Sequence, residues 1–94
     1  MFDKMKALME MQRKMQELKK ELEATVFEIA SSDASVKISM NAAQEVLGVT
    51  IQGSPERGAL ESALKDCFNR AVKRAQGVAA EKMKKVTGMN IPGF

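Results

Sequence analysis

The spacing of apolar residues changes twice along this chain, and that change narrows the folds that the chain can form. In the first quarter the apolar residues step by three and four positions, which is the seam of an amphipathic helix. These residues are Leu8, Met11, Met15, Leu18 and Leu22. We predict a helix from about Asp3 to about Ala24, whose seam either faces the core of its own subunit or pairs with a helix of a second one.

The middle of the chain alternates between apolar and polar residues, which is the period of a β-strand. Short polar turns separate three such segments, at residues 25–30, 36–41 and 47–51. In the third segment, Leu47, Val49 and Ile51 should line one face. Three strands with such short connections predict an antiparallel meander with one apolar face and two unpaired edges.

After Gly53 the helical period returns. Ser54 could cap this second helix with Pro55 at its first position, and a start near Gly58 is equally compatible with the sequence. The apolar stripe of the helix consists of Leu60, Leu64, Cys67, Phe68, Ala71, Ala75 and Val78. The Thr-Gly and Pro-Gly-Phe ending cannot continue a helix, so the helix should stop before Gly88.

The predicted fold is a single α+β domain over residues 1–94, with an α-β-β-β-α order and a three-stranded antiparallel sheet. Its core must be thin, because only 4 of the 94 residues are aromatic, all of them Phe, and 8 are Met. A single core is only marginally sufficient at this size. We therefore expect a homodimer in which each subunit covers apolar surface of the other.

Positive charge is concentrated in the last part of the chain. The net charge is +3, and residues 56–94 hold eight basic and four acidic residues, against six and five in residues 1–24. On a helical wheel, one flank of the second helix collects Arg70, Lys73, Arg74 and Lys84. Such a flank suits a polyanionic partner, and an ordinary solvated surface is the alternative explanation.

The residues that most enzymes need are missing. The sequence contains no His, one Cys and no Gly-rich phosphate-binding loop, which removes the commonest general base, the commonest metal ligand and the usual nucleotide site. The carboxylates of the sheet region, Glu28, Asp33 and Glu45, are scattered. We predict that the protein is not an enzyme and takes no cofactor, metal or small-molecule substrate. Cys67, flanked by apolar helix positions, should be a small buried side chain.

Two features bear on location. A lone cysteine cannot form an intrachain disulfide, which favours a reducing compartment. The sequence has no continuous apolar run long enough to span a membrane. We therefore expect a cytoplasmic protein without a membrane partner.

Several segments of the chain form a recognisable combination. They are the Met-, Gln- and Lys-rich opening helix, the strand segments 36–41 and 49–51, and an ending that contains Ala71, Arg74, Ala75, Glu81, Met83, Thr87-Gly88 and Pro92-Gly93-Phe94. Together they resemble the YbaB/EbfC family of bacterial nucleoid-associated proteins. The resemblance covers essentially the whole chain. It implies a tweezer-shaped homodimer that binds duplex DNA in the nucleoid. Family members often have Gly where this chain has Ala42, which leaves the type of the second turn open.

On this interpretation, exposed Lys and Arg side chains contact DNA phosphates largely without sequence specificity. The residues predicted to bind DNA are Lys6, Arg13, Lys14, Lys20, Arg70, Lys73, Arg74, Lys84 and Lys85. We expect the flank of the second helix to contribute more than the column Lys6, Arg13 and Lys20, because acidic residues partly neutralise the first helix.

Two other functions stay open. A small dimeric adaptor could bind another protein through its Met-rich first helix, since Met surfaces adapt to varied partners. RNA binding has less support, because the strands lack surface aromatics on which bases could stack. We also predict that Phe94 docks on the protein, on its own subunit or on the partner, with a disordered tail as the alternative.

Overall fold

The computed structural model describes residues 2–87, and the side chains of residues 3–86. Its elements are α1 (Phe2–Ala24), β1 (Val26–Ala30), β2 (Val36–Asn41), β3 (Val46–Ile51) and α2 (Arg57–Thr87). The predicted α-β-β-β-α order and the α+β class are confirmed. The prediction that Phe94 docks concerns a residue outside the described range, and it stays a prediction.

The three strands form one antiparallel sheet in the order β1-β2-β3, which confirms the predicted meander. α2 packs across one face of this sheet and buries the inward-facing residues of β2. Ile38 is fully buried in a cluster with Cys67, and Met40 packs against Ala71 and Ala75. The core therefore lies between the middle strand and the second helix, as the apolar stripe of that helix predicted.

β3 pairs with β2 in the expected direction, but its register shifts once. Val49 lies opposite Ile38, whereas the register passes over Leu47 and sets Val46 opposite Met40. A β-bulge adds one residue to a strand, so a strict two-residue period cannot anticipate it. Val46, which the sequence did not assign to the strand, therefore takes the position across from Met40.

The β1–β2 turn is organised by one carboxylate. Asp33 accepts hydrogen bonds from the Ser31 hydroxyl at 2.6 Å and from the Ser35 hydroxyl at 2.7 Å and backbone N–H at 3.0 Å. These donors stabilise the charged form and lower the pKa of Asp33 to about 2. The same turn holds Ala34 in the left-handed region, at a φ of 63°.

The β2–β3 turn is organised by one amide. Asn41 Oδ1 accepts a hydrogen bond from the backbone N–H of Ala43 at 3.0 Å, and its Nδ2 donates to the carbonyl of Glu23 near the end of α1 at 3.2 Å. The left-handed residue of this turn is Gln44, with a φ of 65°, and not Ala42. The turn thus forms without a glycine at position 42, because the left-handed conformation falls on Gln44.

α2 begins at Arg57, between the two starts that the sequence suggested. The backbone N–H of Leu60 donates to the carbonyl of Glu56 at 2.8 Å, so the first helical hydrogen bond starts from Glu56. The predicted N-cap at Ser54 is therefore wrong. A capping pattern shows where a helix can begin, whereas the geometry of the preceding loop decides where it does.

Beyond the sheet, α1 and α2 make the molecule long and thin. Its principal extents are 64 × 22 × 15 Å, and its radius of gyration is 17.7 Å. A compact domain of this length would have a radius of gyration of about 12 Å. The side chain of Leu18 on α1 is 2% exposed, whereas Leu8 on the same helix is 68% exposed. One chain therefore covers only part of its own apolar surface.

Candidate nucleic-acid interface

All nine residues predicted to bind DNA are exposed on the surface, where an anion can reach them. α1 carries Lys6, Arg13, Lys14 and Lys20, and α2 carries Arg70, Lys73, Arg74, Lys84 and Lys85. Their neighbours differ, and these neighbours decide how much of each charge is available to a ligand.

On α1, the residues Lys6, Arg13 and Lys20 form a column with one member per heptad. Successive members are about 10.5 Å apart along the helix axis. Arg13 pairs with Glu10 at 3.6 Å, but the two side chains are 63% and 65% exposed, and an ion pair this open is weak. Within residues 3–86, Lys6, Lys14 and Lys20 form no ion pair. Most of the positive charge of α1 is therefore free to meet an anion.

Of the α2 residues predicted to bind DNA, three lysines are also unpaired in the described part of the chain: Lys73, Lys84 and Lys85. Lys84 and Lys85 lie in the last turn of the helix, where its partial negative charge favours cations. Because no carboxylate forms an ion pair with them, these three lysines are more available to a phosphate than Arg70 or Arg74.

The exposed side chain of Arg70 is tied to two groups of its own chain. Its guanidinium pairs with Asp66 at 2.8 Å, one turn earlier on α2, and donates to the carbonyl of Ala30 at the end of β1 at 2.7 Å. That carbonyl belongs to an edge strand and would otherwise be satisfied only by water. Arg70 thus ties α2 to the sheet, and only part of its donor set is available to a ligand.

Arg74 also lies along β1. The carbon at the centre of its guanidinium is 5.5 Å from the centroid of the Phe27 ring, within the range of a cation–π contact. Both Arg70 and Arg74 were predicted to bind DNA, and that role stays a prediction. The structure adds a competing role for each of them in joining α2 to the first strand.

One basic residue outside the predicted group joins the two helices. Lys82 Nζ forms a salt bridge with Glu21 of α1 at 2.7 Å, and its side chain is only 23% exposed. The hydrogen bond from Lys82, followed by its charge, lowers the pKa of Glu21 below its usual value. The two residues are 61 positions apart, so no local sequence pattern could have found the pair.

Cys67 is fully buried, as the sequence predicted. Its Sγ lies 3.9 Å from the carbonyl of Val36 and 3.9 Å from a guanidinium nitrogen of Arg70. Burial raises the pKa of the thiol, with the charge of Arg70 opposing that shift. A protonated and enclosed thiol packs as a small apolar group and is a poor nucleophile.

The face of the sheet opposite α2 offers no stacking platform within the described residues. The ion pair between Glu28 and Lys37 lies on this face, at 3.9 Å. The two aromatic side chains among residues 3–86, Phe27 and Phe68, both pack in the core instead. Within the same residues, no cluster of three His, Cys, Asp or Glu side chains could hold a metal ion.

Neither helix in the described part of the chain has the length and apolar composition that crossing a membrane requires.

A family profile and individual relatives of known name both assign this chain to the same family. The sequence profile of the YbaB/EbfC DNA-binding family matches residues 1–90. The chain is 34% identical over 90 residues to a nucleoid-associated protein of Chloroflexus aurantiacus, covering 89% of this chain and 88% of that one. It is 35% identical over 86 residues to a nucleoid-associated protein of Dictyoglomus thermophilum, covering 87% and 83%.

The fold is similar to the crystal structure of HP0035, an uncharacterized protein from Helicobacter pylori. The TM-score is 0.75, and the match covers 94% of each chain at 20% sequence identity. An identity this low establishes a shared fold and carries no functional detail.

Proposed function

The chain belongs to the YbaB/EbfC DNA-binding family, and from that premise we propose that it binds duplex DNA as a homodimer in the bacterial nucleoid. Its exposed Lys and Arg side chains contact phosphates, release counterions and bind without strong sequence preference. Its relatives from Chloroflexus and Dictyoglomus carry the name nucleoid-associated protein, which supports this location.

The observation that carries the proposal is the set of unpaired lysines on both helices. Lys73, Lys84 and Lys85 have no ion-pair partner within residues 3–86, and the same holds for Lys6 and Lys20 of α1. The two helices extend a molecule that is 64 Å long, so their charges are spread over several phosphate spacings of a duplex.

The homodimer is supported by the apolar surface that one chain leaves open. Val46, Val49 and Ile51 of β3 are 46%, 46% and 48% exposed, on a strand at the edge of the sheet. An exposed apolar edge strand invites pairing with another chain. A second copy that covers β3 would also double the number of phosphate-binding helices.

Binding without base readout is the simplest mode for this architecture. In the described range the long helices are separated by a sheet, which is not the helix-turn-helix arrangement that places a recognition helix in the major groove. Phosphate contacts alone fix position on the duplex and carry no sequence information.

The test is a titration of random-sequence duplex at several salt concentrations with Lys73, Lys84 and Lys85 replaced by Gln. Affinity should fall about equally for all duplex sequences, and the slope of log affinity against log salt should flatten by about one for each phosphate that the variant no longer binds. The matched control replaces Lys37, Arg57 and Lys65 by Gln, which removes the same charge elsewhere. Equal reductions in affinity in the two variants would mean that net charge alone, and not the position of these lysines, determines DNA affinity.

A second variant tests the predicted ranking of the helices. Replacing Lys6, Arg13 and Lys20 by Gln should weaken DNA binding less than the Lys73, Lys84 and Lys85 variant does, because residues 1–24 hold five acidic residues against six basic ones, whereas residues 56–94 hold four against eight. An equal or larger reduction in affinity from the α1 variant would place the main DNA contact on the first helix.

The alternative function is a dimeric adaptor that binds a protein through α1. The observation in its favour is the exposed apolar row of that helix, with Leu8 68% and Met11 63% exposed. Unchanged DNA affinity in the α2 lysine variant, with an intact dimer, would favour this alternative over DNA binding.

A further inference from the structure

α1 is held to the rest of its own chain near its C-terminal end. Within the described residues, the side chains of 3–17 are all exposed, whereas Leu18 is 2% exposed and Leu22 lines a cleft with Ala79 of α2. The backbone N–H of Ala42 donates to the carbonyl of Leu22 at 3.1 Å, which fixes the end of the helix to the β2–β3 turn. The larger part of α1 therefore projects beyond these contacts.

Lys82 of α2 contacts α1 at this same end. Its Nζ lies 2.7 Å from Oε1 of Glu21, and its side chain is 23% exposed. The Arg13–Glu10 pair of α1 is longer, at 3.6 Å, and both of its side chains are more than half exposed. An ion pair that is partly withdrawn from water is screened less than an open one. The Lys82–Glu21 pair therefore restrains α1 relative to α2 where the two helices meet.

The length of α1 makes its tilt important for the cations near its other end. Lys6 is 15 positions from Glu21, which is about 22 Å along the helix axis. A rotation of about 10° about Glu21 would move Lys6 by about 4 Å. That movement exceeds the rise of about 3.4 Å between successive phosphates of one DNA strand. The tilt of α1 therefore decides whether Lys6 and the lysines of α2 can meet phosphates of one duplex together.

We propose that the ion pair between Lys82 and Glu21 positions α1 for DNA binding, although neither residue contacts DNA. The inference rests on the proposed function, in which both helices bind phosphates. Two groups that bind one ligand together gain affinity only when their geometry allows simultaneous contact. The pair supplies that geometry by fixing the lysines of α1 relative to Lys84 and Lys85, which follow Lys82 within one turn of α2.

A substitution of Glu21 distinguishes positioning from charge, because the two effects have opposite signs. The hydrogen bond and charge of Lys82, and then the charge of Lys85, lower the pKa of Glu21, so this carboxylate lies in the field of a lysine predicted to bind DNA. If charge alone mattered, Glu21→Gln would strengthen binding. We expect it instead to weaken the binding of random-sequence duplex by about three- to tenfold, because α1 loses its fixed position.

The matched control is Glu17→Gln. Glu17 lies one turn before Glu21 on α1, is exposed, and forms no ion pair within residues 3–86. Removing its charge should leave DNA affinity unchanged or raise it slightly. Weaker binding in the Glu21 variant alone supports the proposal. Equal changes in the two variants, or stronger binding in the Glu21 variant, overturn it.

A charge exchange tests whether Lys82 itself contacts phosphate. Lys82→Glu places two carboxylates together and should weaken DNA binding by about tenfold or more. Combining Lys82→Glu with Glu21→Lys keeps the net charge of the wild type and restores an ion pair of the same combined side-chain length. Affinity in this double variant should return to within about threefold of the wild type. An affinity as low as that of Lys82→Glu alone would mean that Lys82 binds phosphate directly, and the proposal would be wrong.

A distance between the helices separates failure of this inference from failure of the proposed function. Nitroxide labels attached after Gln12→Cys and Asn69→Cys, both at exposed positions, report the position of α1 relative to α2 by double electron–electron resonance. Excess unlabelled chain limits the signal to pairs within one chain, and native Cys67 is buried. The distance distribution should broaden in Glu21→Gln and narrow again in the exchanged pair.

An unchanged distribution would overturn the positioning role, whether or not the wild type binds DNA. A distribution that broadens as expected, with no DNA binding by the wild type, would support the restraint on α1 and contradict the proposed function.

Discussion

Strands β2 and β3 are neighbours of equal length, yet they differ completely in burial. In β2, Val36 and Ile38 are fully buried. Their partners across the ladder, Ile51 and Val49, are 48% and 46% exposed. Both strands present apolar residues toward the same side of the sheet, so residue type does not explain the difference.

The width of a helix does explain it. An α-helix with its side chains is about 10 Å across, and neighbouring strands are about 4.8 Å apart, so one helix covers roughly two strands. α2 packs against β1 and β2, where Phe27 and Ile38 meet it, and β3 lies beyond its reach. The apolar side of the third strand is therefore left open by α2 and suits a partner subunit.

A substitution in the buried strand should have the greatest consequence. Ile38→Ala should lower the free energy of unfolding by about 2–5 kcal/mol, because it leaves a cavity between the sheet and α2. Val49→Ala, measured in chemical denaturation at a concentration that keeps the chain monomeric, should cost less than half as much, since Val49 is 46% exposed. Equal decreases would mean that the two strands are packed alike.

The exposed strand should instead control assembly. Val49→Glu places a charge on the side of β3 that we assign to the partner subunit, and burying it there should weaken the dimer by about 2 kcal/mol or more, about thirtyfold in the dissociation constant. Sedimentation should then show the mass of one chain at micromolar concentration, with an unchanged circular dichroism spectrum.

The matched control for that experiment is the next residue. Thr50→Glu adds the same charge to the opposite side of β3, across from Lys37, and should leave the dimer intact. If Thr50→Glu dissociated the dimer and Val49→Glu did not, the partner would have to cover the outer face of the sheet.

A smaller effect on stability should distinguish the two turns that flank β2, because only one of them contains a group that titrates. Asp33 has a folded pKa of about 2, below its ordinary value of 3.8, so its contribution to stability is full above about pH 4 and disappears as the pH falls through about 2. The amide of Asn41, in the turn toward β3, does not titrate. The stability advantage of the wild type over Asp33→Asn should therefore shrink between about pH 4 and pH 2. An advantage that stayed constant over this interval would show that the Asp33 hydrogen bonds do not act through charge.

Most of the secondary structure could be predicted because it follows from local periodicity. The bounds of β2 were predicted to the residue, and α1 differs by one residue at its start. The predictions were wrong where the position of a residue depends on distant parts of the chain and not on the local sequence pattern. The start of α2 at Arg57 depends on the path of the preceding loop, and Val46 entered β3 because a bulge changed the register.

The candidate site was less predictable than the fold. Sequence identified which Lys and Arg side chains lie on the helix surfaces, and all nine are exposed. It could not show that Arg70 binds the Ala30 carbonyl or that Lys82 binds Glu21, since those partners are 40 and 61 positions away. Which of these charges meet phosphate stays a prediction for the titration to decide.

Residue type and spacing alone dictate the order of the elements, the apolar face of β2, the apolar stripe of α2 and the excess of positive charge on α2. Which apolar residues are covered and which cations are free became known only from the folded molecule. Both depend on residues far apart in the chain, such as Ile38 beside Cys67 and Lys82 beside Glu21. Burial and pairing are properties of neighbours in space, and one helix can cover only the two strands within its width.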